Sequence, residues 1–340
     1  MFRGKRELVA RGLYGSGAAF LLDRLPARDV LLVLNYHRIG NRDADLFDPG
    51  VFSATADQFD EQIAYLKRRC SLVTVDEARA FVEGQIKDRA PQFRVLITFD
   101  DGYLDNYEVA FPILCSHGVP GVFFLVTSNI GSCTVPWWDY IAFLVKTAEN
   151  RRFSLHYPVR REFNLDKDGI AESIRGVLSA YNRADNIERD RFMQALQEQT
   201  RGANLPKPVR RFLDWNEARE MIAGGMEIGS HTDSHATLSR LAPEQQRREL
   251  EISRGILKDN LGVAVDAIAY PAGATASFSA ETKVLARQAG YRIAFSSYGG
   301  TNLSGQGSVY DVKRICVDDL SRTRFRTQLA SCRVTGKYWP

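Results

Sequence analysis

The chain is 340 residues long, with 44% hydrophobic and 25% charged residues and a formal net charge of +4. That length suits one large domain or two modest ones, and the composition is that of an ordinary globular protein. So small a charge argues against a nucleic-acid partner: the Arg pairs at 68–69, 151–152, 210–211 and 247–248 sit among acids without interleaved aromatics and read as solvated faces.

Residues 1–29 carry Arg3, Lys5, Arg6 and Arg11 ahead of a mildly apolar run. Arg11 and Asp23 bracket a weak, glycine-containing core with no clear small-residue cleavage site, so a helical or membrane-adjacent segment is expected ahead of a signal peptide. No stretch reaches the 18 apolar residues of a spanning helix. The five cysteines, at 70, 115, 133, 316 and 332, fit no metal or redox spacing and read as free thiols. Together these favour a cytoplasmic location over export, with peripheral membrane contact left open.

Residues 30–35 (Val-Leu-Leu-Val-Leu-Asn) predict a fully buried strand that ends at Tyr36-His37. A helix over 55–69 follows, with Phe59, Ile63 and Leu66 at helical spacing, then a short strand or turn and a helix over 76–84. Residues 95–98 form the next strand and stop at Asp100-Asp101-Gly102. A helix over 108–116, awkwardly holding Pro112, leads to a strand at 121–126. From 131 to 213 the rhythm changes to a mostly helical insertion that opens on Trp137-Trp138, a pair suited either to sugar stacking or to packing the insertion. The alternation resumes with a helix at 214–223 and a strand at 226–230 running into His231-Thr232-Asp233-Ser234-His235. A helix at 243–261, with Leu250, Ile252, Ile256 and Leu257 on its apolar side, is followed by strands at 265–270, 291–296 and 312–317. About seven strands alternating with helices predict an α/β fold closer to a closed barrel than to an open sheet.

The polar residues gather where strands end, which is where α/β folds place ligands. Asp100 and Asp101 cannot both sit inside a strand, because one would face an apolar layer; past the end both can face a cleft. Read alone, the pair is an acidic turn. His231 and His235, read alone, are capping or surface residues. Three of the five histidines (His37, His231, His235) nevertheless follow predicted strands. Two imidazoles and one carboxylate of the 100/101 pair make a three-ligand set with an open position, the pattern of a catalytic divalent cation. No phosphate loop, dinucleotide fingerprint or nucleophile elbow competes with this reading.

Thr98-Phe99-Asp100-Asp101-Gly102 and His231-Thr232-Asp233-Ser234-His235, with Gly118-Val119-Pro120 leading into Phe123-Phe124, resemble the NodB-homology polysaccharide deacetylases of carbohydrate esterase family four. The resemblance covers residues 30–130 and 214–318; it leaves 131–213 as an insertion and 319–340 as a tail. It implies a distorted (β/α)7-type barrel with a mostly helical insertion, and metal-dependent hydrolysis of the N-acetyl group of an amino sugar. Asp101, His231 and His235 would hold the metal, Zn²⁺ first and Co²⁺, Ni²⁺ or Mn²⁺ as alternatives. Asp100 would be the general base. The family's third motif corresponds to Ala269-Tyr270-Pro271-Ala272-Gly273, where Ala269 replaces the arginine that steadies the base. Arg314 is the candidate substitute, and the Ala272 N–H the candidate oxyanion donor.

No histidine follows His235, so the family's late acid is missing. Tyr36-His37 instead matches relatives that deacetylate poly-N-acetylglucosamine, and His37 takes the acid's place. The implied partner is an N-acetylated oligosaccharide, polysaccharide or lipid-linked sugar. A deformylase or amidase of a small metabolite, and a non-catalytic glycan-binding protein, are the competing readings. Tyr103 is expected in the cleft, Asp318-Asp319 as a polar turn, and His117 and His156 outside the site.

Overall fold

The computed structural model describes residues 25, 27–86, 90–157, 160–184, 188–205, 210–318 and 321–338. Nearly all of the N-terminal segment expected from 1 to 29 lies outside them, as do Pro206, Pro208 and Asp319. The chain forms two compact units, one from the residues up to Gly40, Ser53–Ser132 and Phe212 onward, the other from Asn41–Phe52 and Cys133–Arg211. No helix among the described residues is long and apolar enough to cross a membrane.

The larger unit is built on seven parallel strands: β1 (Val30–Tyr36), β2 (Phe93–Phe99), β3 (Val122–Leu125), β4 (Glu227–Ser230), β5 (Ala267–Ala269), β6 (Ile293–Phe295) and β7 (Arg314–Cys316). Their order is β6-β5-β4-β3-β2-β1-β7. The β1–β2 ladder is the longest, running without a break from Val30 opposite Phe93 to Tyr36 opposite Phe99. Every residue of both strands is buried, which is why they read as unbroken apolar runs rather than alternating ones. Two short strands lengthen the edges: Ser71–Leu72 runs parallel to β2 and Asn302–Leu303 antiparallel to β1. At the ends of the curled sheet no regular ladder joins β6 to β7 among the described residues; an isolated parallel bridge between Phe295 and Val312 and a few further bonds link them, so the barrel is distorted and incompletely closed.

Alternation along the strands sorts the residues into two layers. Leu31, Val33, Leu96, Val122, Phe124, Ala267, Ala269, Ile293 and Phe295 form one apolar cluster, which Val75, Ala78, Phe81 and Val82 of a short helix join. The other faces of the strands pack under helices. The helices are α1 (Ala56–Arg69), α2 (Val75–Val82, the one in the inner cluster), α3 (Phe111–His117), α4 (Trp215–Ala223), α5 (Pro243–Leu261), α6 (Ala280–Gln288) and α7 (Arg322–Thr335). Phe59, Leu114, Met221, Leu250, Leu285 and Phe325 are their contributions to the outer cluster. Thr55, Asp214 and Ser279 each begin a helix with a reciprocal capping box. Pro112 is accommodated because a wider π turn at Asn106–Ala110 leads into α3, leaving it in that helix's first turn. Ile252 departs from expectation: it is 42% exposed, because the buried stripe of α5 runs through Leu250, Leu257 and Leu261 and position 252 lies on the far side.

The smaller unit has helices at Trp137–Lys146, Ile170–Arg183 and Arg189–Thr200. It also holds an antiparallel pair that the sequence reading missed, Arg152–Leu155 against Arg161–Asn164, with Phe153 and Phe163 opposite one another and stacked 5.0 Å apart. Four residues per strand are too few for a clear period-two signal. Trp138 is buried and Trp137 stacks on Tyr181 at 4.4 Å, so both tryptophans serve this unit's packing. Residues Asn41–Phe52 group with this unit. There Asp139, fully buried, accepts hydrogen bonds from Arg211 Nη2 at 3.0 Å and from the Asp48 N–H at 3.2 Å.

Burial pushes the Asp48 carboxyl up to about 6, against the Gly50 N–H that it accepts and with the help of Asp139. A carboxyl whose folded pKa exceeds its unfolded value binds its proton more tightly in the folded state. Its contribution to stability therefore falls as pH rises from about 4 to about 6, then stays low. An asparagine in its place keeps the acceptor without the charge. Asp48→Asn should gain roughly 2 kcal/mol over the parent at pH 7.5 and nothing at pH 4. Paired urea titrations at the two pH values check this; an equal difference at both would refute it.

Candidate metal centre and active site

The inward-facing series of β1, β2 and β7 turns polar as the strands end. Asn35 continues Leu31 and Val33; Thr98 and Asp100 continue Leu96; Arg314 faces them from β7. Arg314 is wholly buried and grips Asp100 with both terminal nitrogens, Nη1 to Oδ1 and Nη2 to Oδ2, each at 2.7 Å. The guanidinium is itself held in place. Its Nε donates to the Ser296 carbonyl at 3.1 Å, and Nη1 also donates to Asn35 Oδ1 and Thr98 Oγ1, both at 3.2 Å. Asn35 completes the ring by donating from Nδ2 to Asp100 Oδ2 at 3.0 Å. Burial works to raise the Asp100 pKa, but the Arg314 charge and fork, with His231 and His37 nearby, hold it well below the ordinary carboxylate range.

Asp101, next in the chain, turns away because its backbone enters the left-handed region at φ 74°, followed by Gly102 at φ 75°. Left-handed backbone is costly for a residue with a Cβ and gathers at functional sites. Among the described residues, five non-glycines adopt it, and Asp101, Thr232, His235 and Ala272 are four of them.

His231 follows β4 directly, and its N–H bonds the Leu125 carbonyl at 2.8 Å, extending the β3–β4 ladder by one residue. Its Nδ1 lies 2.8 Å from the Ala269 carbonyl. A carbonyl only accepts, so Nδ1 carries the proton and Nε2 presents a lone pair. That Nε2 is 3.6 Å from Asp101 Oδ1, and His235 Nε2 is 3.5 Å from the same oxygen. Burial drives His231 down to about 4 despite the attraction of Asp100, and drives His235 well below the ordinary value with His231 adding to the shift. Both imidazoles are therefore neutral, the form that binds metal.

One donor atom from each of Asp101, His231 and His235 lies within 4.8 Å of the other two. Neutral imidazoles on a carboxylate, too far apart to bond each other yet facing one point, fit a divalent cation. The donor set is borderline to hard, as Zn²⁺ prefers, and three protein ligands leave a position open.

His37 follows β1, and its Nε2 stands 4.0 Å from Asp100 Oδ2 with 29% of its side chain exposed. Its loop is tied down by the Asn106 amide on the His37 carbonyl at 2.7 Å and by Asp105, which holds Arg38 Nε at 2.7 Å. Burial lowers the His37 pKa, and the Asp100 charge opposes that. Ala272, at φ 59°, lies in the loop leaving β5, where the neighbouring Gly273 carbonyl accepts from the Ser297 N–H at 2.7 Å.

The structure thus brings Asp100, Asp101, His231, His235, His37 and Arg314 together. It removes Tyr103, which is fully buried and stacked on Phe212 at 5.0 Å instead of lining a cleft. His117 pairs with Asp60 at the surface, and His156 lies beside Ser154 in the smaller unit. Sequence reasoning passed over Asn35 and Thr98. The signal for both was their parity with the inward-facing residues of their strands.

The polysaccharide deacetylase family model matches residues 87–294, well over half of the chain. A poly-beta-1,6-N-acetyl-D-glucosamine N-deacetylase of Staphylococcus epidermidis is 32% identical over 111 residues, covering 30% of this chain and 37% of the relative. A Bacillus subtilis relative is 22% identical over 232 residues, covering 68% of this chain and 54% of its own length. The chain therefore spans about half or less of these curated relatives. Among solved structures, the Streptococcus pyogenes deacetylase PplD in complex with acetate aligns over 90% of this chain and 99% of its own, with a TM-score of 0.57 and 18% identity. IcaB from Ammonifex degensii aligns over 90% and 97%, with a TM-score of 0.55 and 22% identity. At these identities the structural likeness speaks for the fold.

Arg314→Met should destabilise the protein by about 3–5 kcal/mol, because it strands a buried carboxylate. Adding Asp100→Asn to that variant should recover much of the loss. Denaturant unfolding of both variants checks the pair; a double variant no more stable than Arg314→Met would mean that the two side chains are not coupled.

Proposed function

The chain belongs to the polysaccharide deacetylase family, and from that premise we propose that it hydrolyses the N-acetyl group of an amino sugar in a glycan or lipid-linked saccharide. The observation that carries the reading is the adjacency of two carboxylates with different partners. Asp100 is locked on Arg314, while Asp101 faces two neutral imidazoles. One strand end thereby supplies a base and a metal ligand side by side. The complete donor set also favours an enzyme over a glycan-binding protein.

Asp101, His231 and His235 would hold a divalent cation, Zn²⁺ by preference, which supplies Lewis acidity to the acetamide carbonyl and the attacking water. Asp100 takes a proton from that water as its oxygen bonds to the acyl carbon. Arg314 and Asn35 hold the carboxylate ionised and aimed throughout. The Ala272 N–H is assigned to the oxyanion that forms at the carbonyl oxygen. His37 delivers a proton to the departing nitrogen as the C–N bond breaks, and acetate and a free amine leave. Burial lowers the His37 pKa on balance, and the Asp100 charge acts against that, towards the imidazolium that this step needs.

Polymers of β-1,6-linked N-acetylglucosamine are the first substrates to test, since that is what the staphylococcal relative is named for. Acetate release should require the added cation and stop with chelator. Asp100→Asn and His37→Ala should each lower it about 10²–10⁴-fold. Chitooligosaccharides and lipid-diphosphate sugars complete the panel. Full activity in His37→Ala would remove that residue as the acid, and no release from any of them by the metal-loaded protein would turn the reading towards a small-molecule amide.

A further inference from the structure

We propose that Glu249, on α5, is a positioning residue that sets the metal affinity of the site by fixing the loop between His231 and His235. The inference rests on the reading of Asp101, His231 and His235 as ligands.

The loop is short and strained. Thr232 and His235 both have left-handed backbone, at φ 67° and 58°. Such conformations persist only where the surroundings over-determine them. The path from one histidine to the other runs through Asp233 and Ser234, so the placement of those two backbone units decides where the second imidazole stands.

Glu249 takes hold of both. Its Oε2 accepts from the Asp233 N–H at 3.0 Å and the Ser234 N–H at 2.9 Å, and its Oε1 accepts from Ser234 Oγ at 2.5 Å. A carboxylate is well suited to this, because it offers two oxygens and its hydrogen bonds are charge-assisted. The loop carbonyls are met from the other side. Thr127 N–H donates to the Thr232 carbonyl at 3.3 Å and Ser128 N–H to the Asp233 carbonyl at 3.0 Å, while Thr127 Oγ1 bonds the Asp233 carboxylate.

One turn further along α5, Ser253 receives Ser230 Oγ at 2.8 Å, and Ser230 Oγ in turn accepts from the Thr232 N–H at 3.1 Å. The same helix therefore pins the residue before the first histidine and the two residues before the second. His235, which the loop carries, supplies one of the three donor atoms that lie within 4.8 Å of one another. Groups that orient ligands from behind commonly govern metal affinity by 10–100-fold when removed.

The test is Zn²⁺ titration of the metal-free full chain, followed by calorimetry or a competing chromophoric chelator. The proteins are the parent, Glu249→Ala, Glu249→Gln and the control Glu251→Ala, whose glutamate sits on α5 with half its side chain exposed. Unfolding midpoints of the metal-free proteins are measured alongside. Glu249→Ala should weaken Zn²⁺ binding at least 10-fold and Glu249→Gln less, since the amide oxygen still accepts; Glu251→Ala should match the parent. Should Glu249→Ala fail to fold, Glu249→Gln carries the comparison. Parental Zn²⁺ affinity in folded Glu249 variants, whatever their unfolding midpoint, would make Glu249 a brace only and overturn the proposal. A parent that binds no divalent cation would overturn it together with the reading of the ligands, a result that the variants' behaviour cannot mimic.

Discussion

The Asp100–Arg314 pair is the constraint on which the rest of the site depends. The two residues are 214 positions apart, on the second and last strands of the barrel, with β1 between them. Both are removed from water, at a desolvation cost that Coulomb attraction offsets only when the geometry is good and the remaining donors are satisfied. Here they are: the guanidinium also reaches Ser296, Asn35 and Thr98. Those contacts require β7 to be docked on β1, so the pairing that completes this side of the barrel also puts the guanidinium on Asp100. A barrel without a regular ladder between β6 and β7 gains from so specific a tie.

The same pair fixes how Asp100 can act. A carboxylate held below its ordinary pKa is ionised at neutral pH, and it is a weaker base than one tuned near neutrality. Its strength is placement. His231 Nε2 and His37 Nε2 stand 3.9 Å and 4.0 Å from Asp100 Oδ2, so the carboxylate is central to groups of three different origins. Asp101, one residue on, belongs to the other half of the site only because its left-handed backbone swings it towards His231 and His235.

Much of this was legible in the sequence. The strands that carry the site are short, fully buried and apolar, so their ends were marked by the first polar residues, and the two motifs stood at those ends. Arg314 could be nominated because no arginine occupied position 269; where its fork would land depends on β1–β7 register, which no local pattern encodes. Asn35, Thr98 and Glu249 were passed over for a common reason. Their partners are distant in sequence or act through backbone N–H groups, so for Asn35 and Thr98 strand parity alone pointed inward, without naming a partner, and for Glu249 no spacing did. The errors were of a second kind. Tyr103 adjoins the Asp pair but stacks on Phe212, and Ile252 lies in an amphipathic helix on its outer side. Adjacency and hydrophobicity were trusted there in place of direction.

The site is held by two kinds of structure, and they fail differently. Asp100 is fixed by side chains inside the barrel, where strand parity admits few alternatives. The histidines are fixed by a loop whose strained backbone is gripped from α5 on its amide side and from Thr127 and Ser128 on its carbonyl side. A change in the barrel interior that disturbs Asp100 removes a buried counter-charge and acts on the whole fold. The supports of the loop act on the backbone that leads to His235, outside the charge network of the barrel interior. The two adjacent aspartates thus report to separate parts of the molecule. That separation lets one strand end carry a carboxylate locked on a guanidinium and a carboxylate that faces two imidazoles without either arrangement dictating the other.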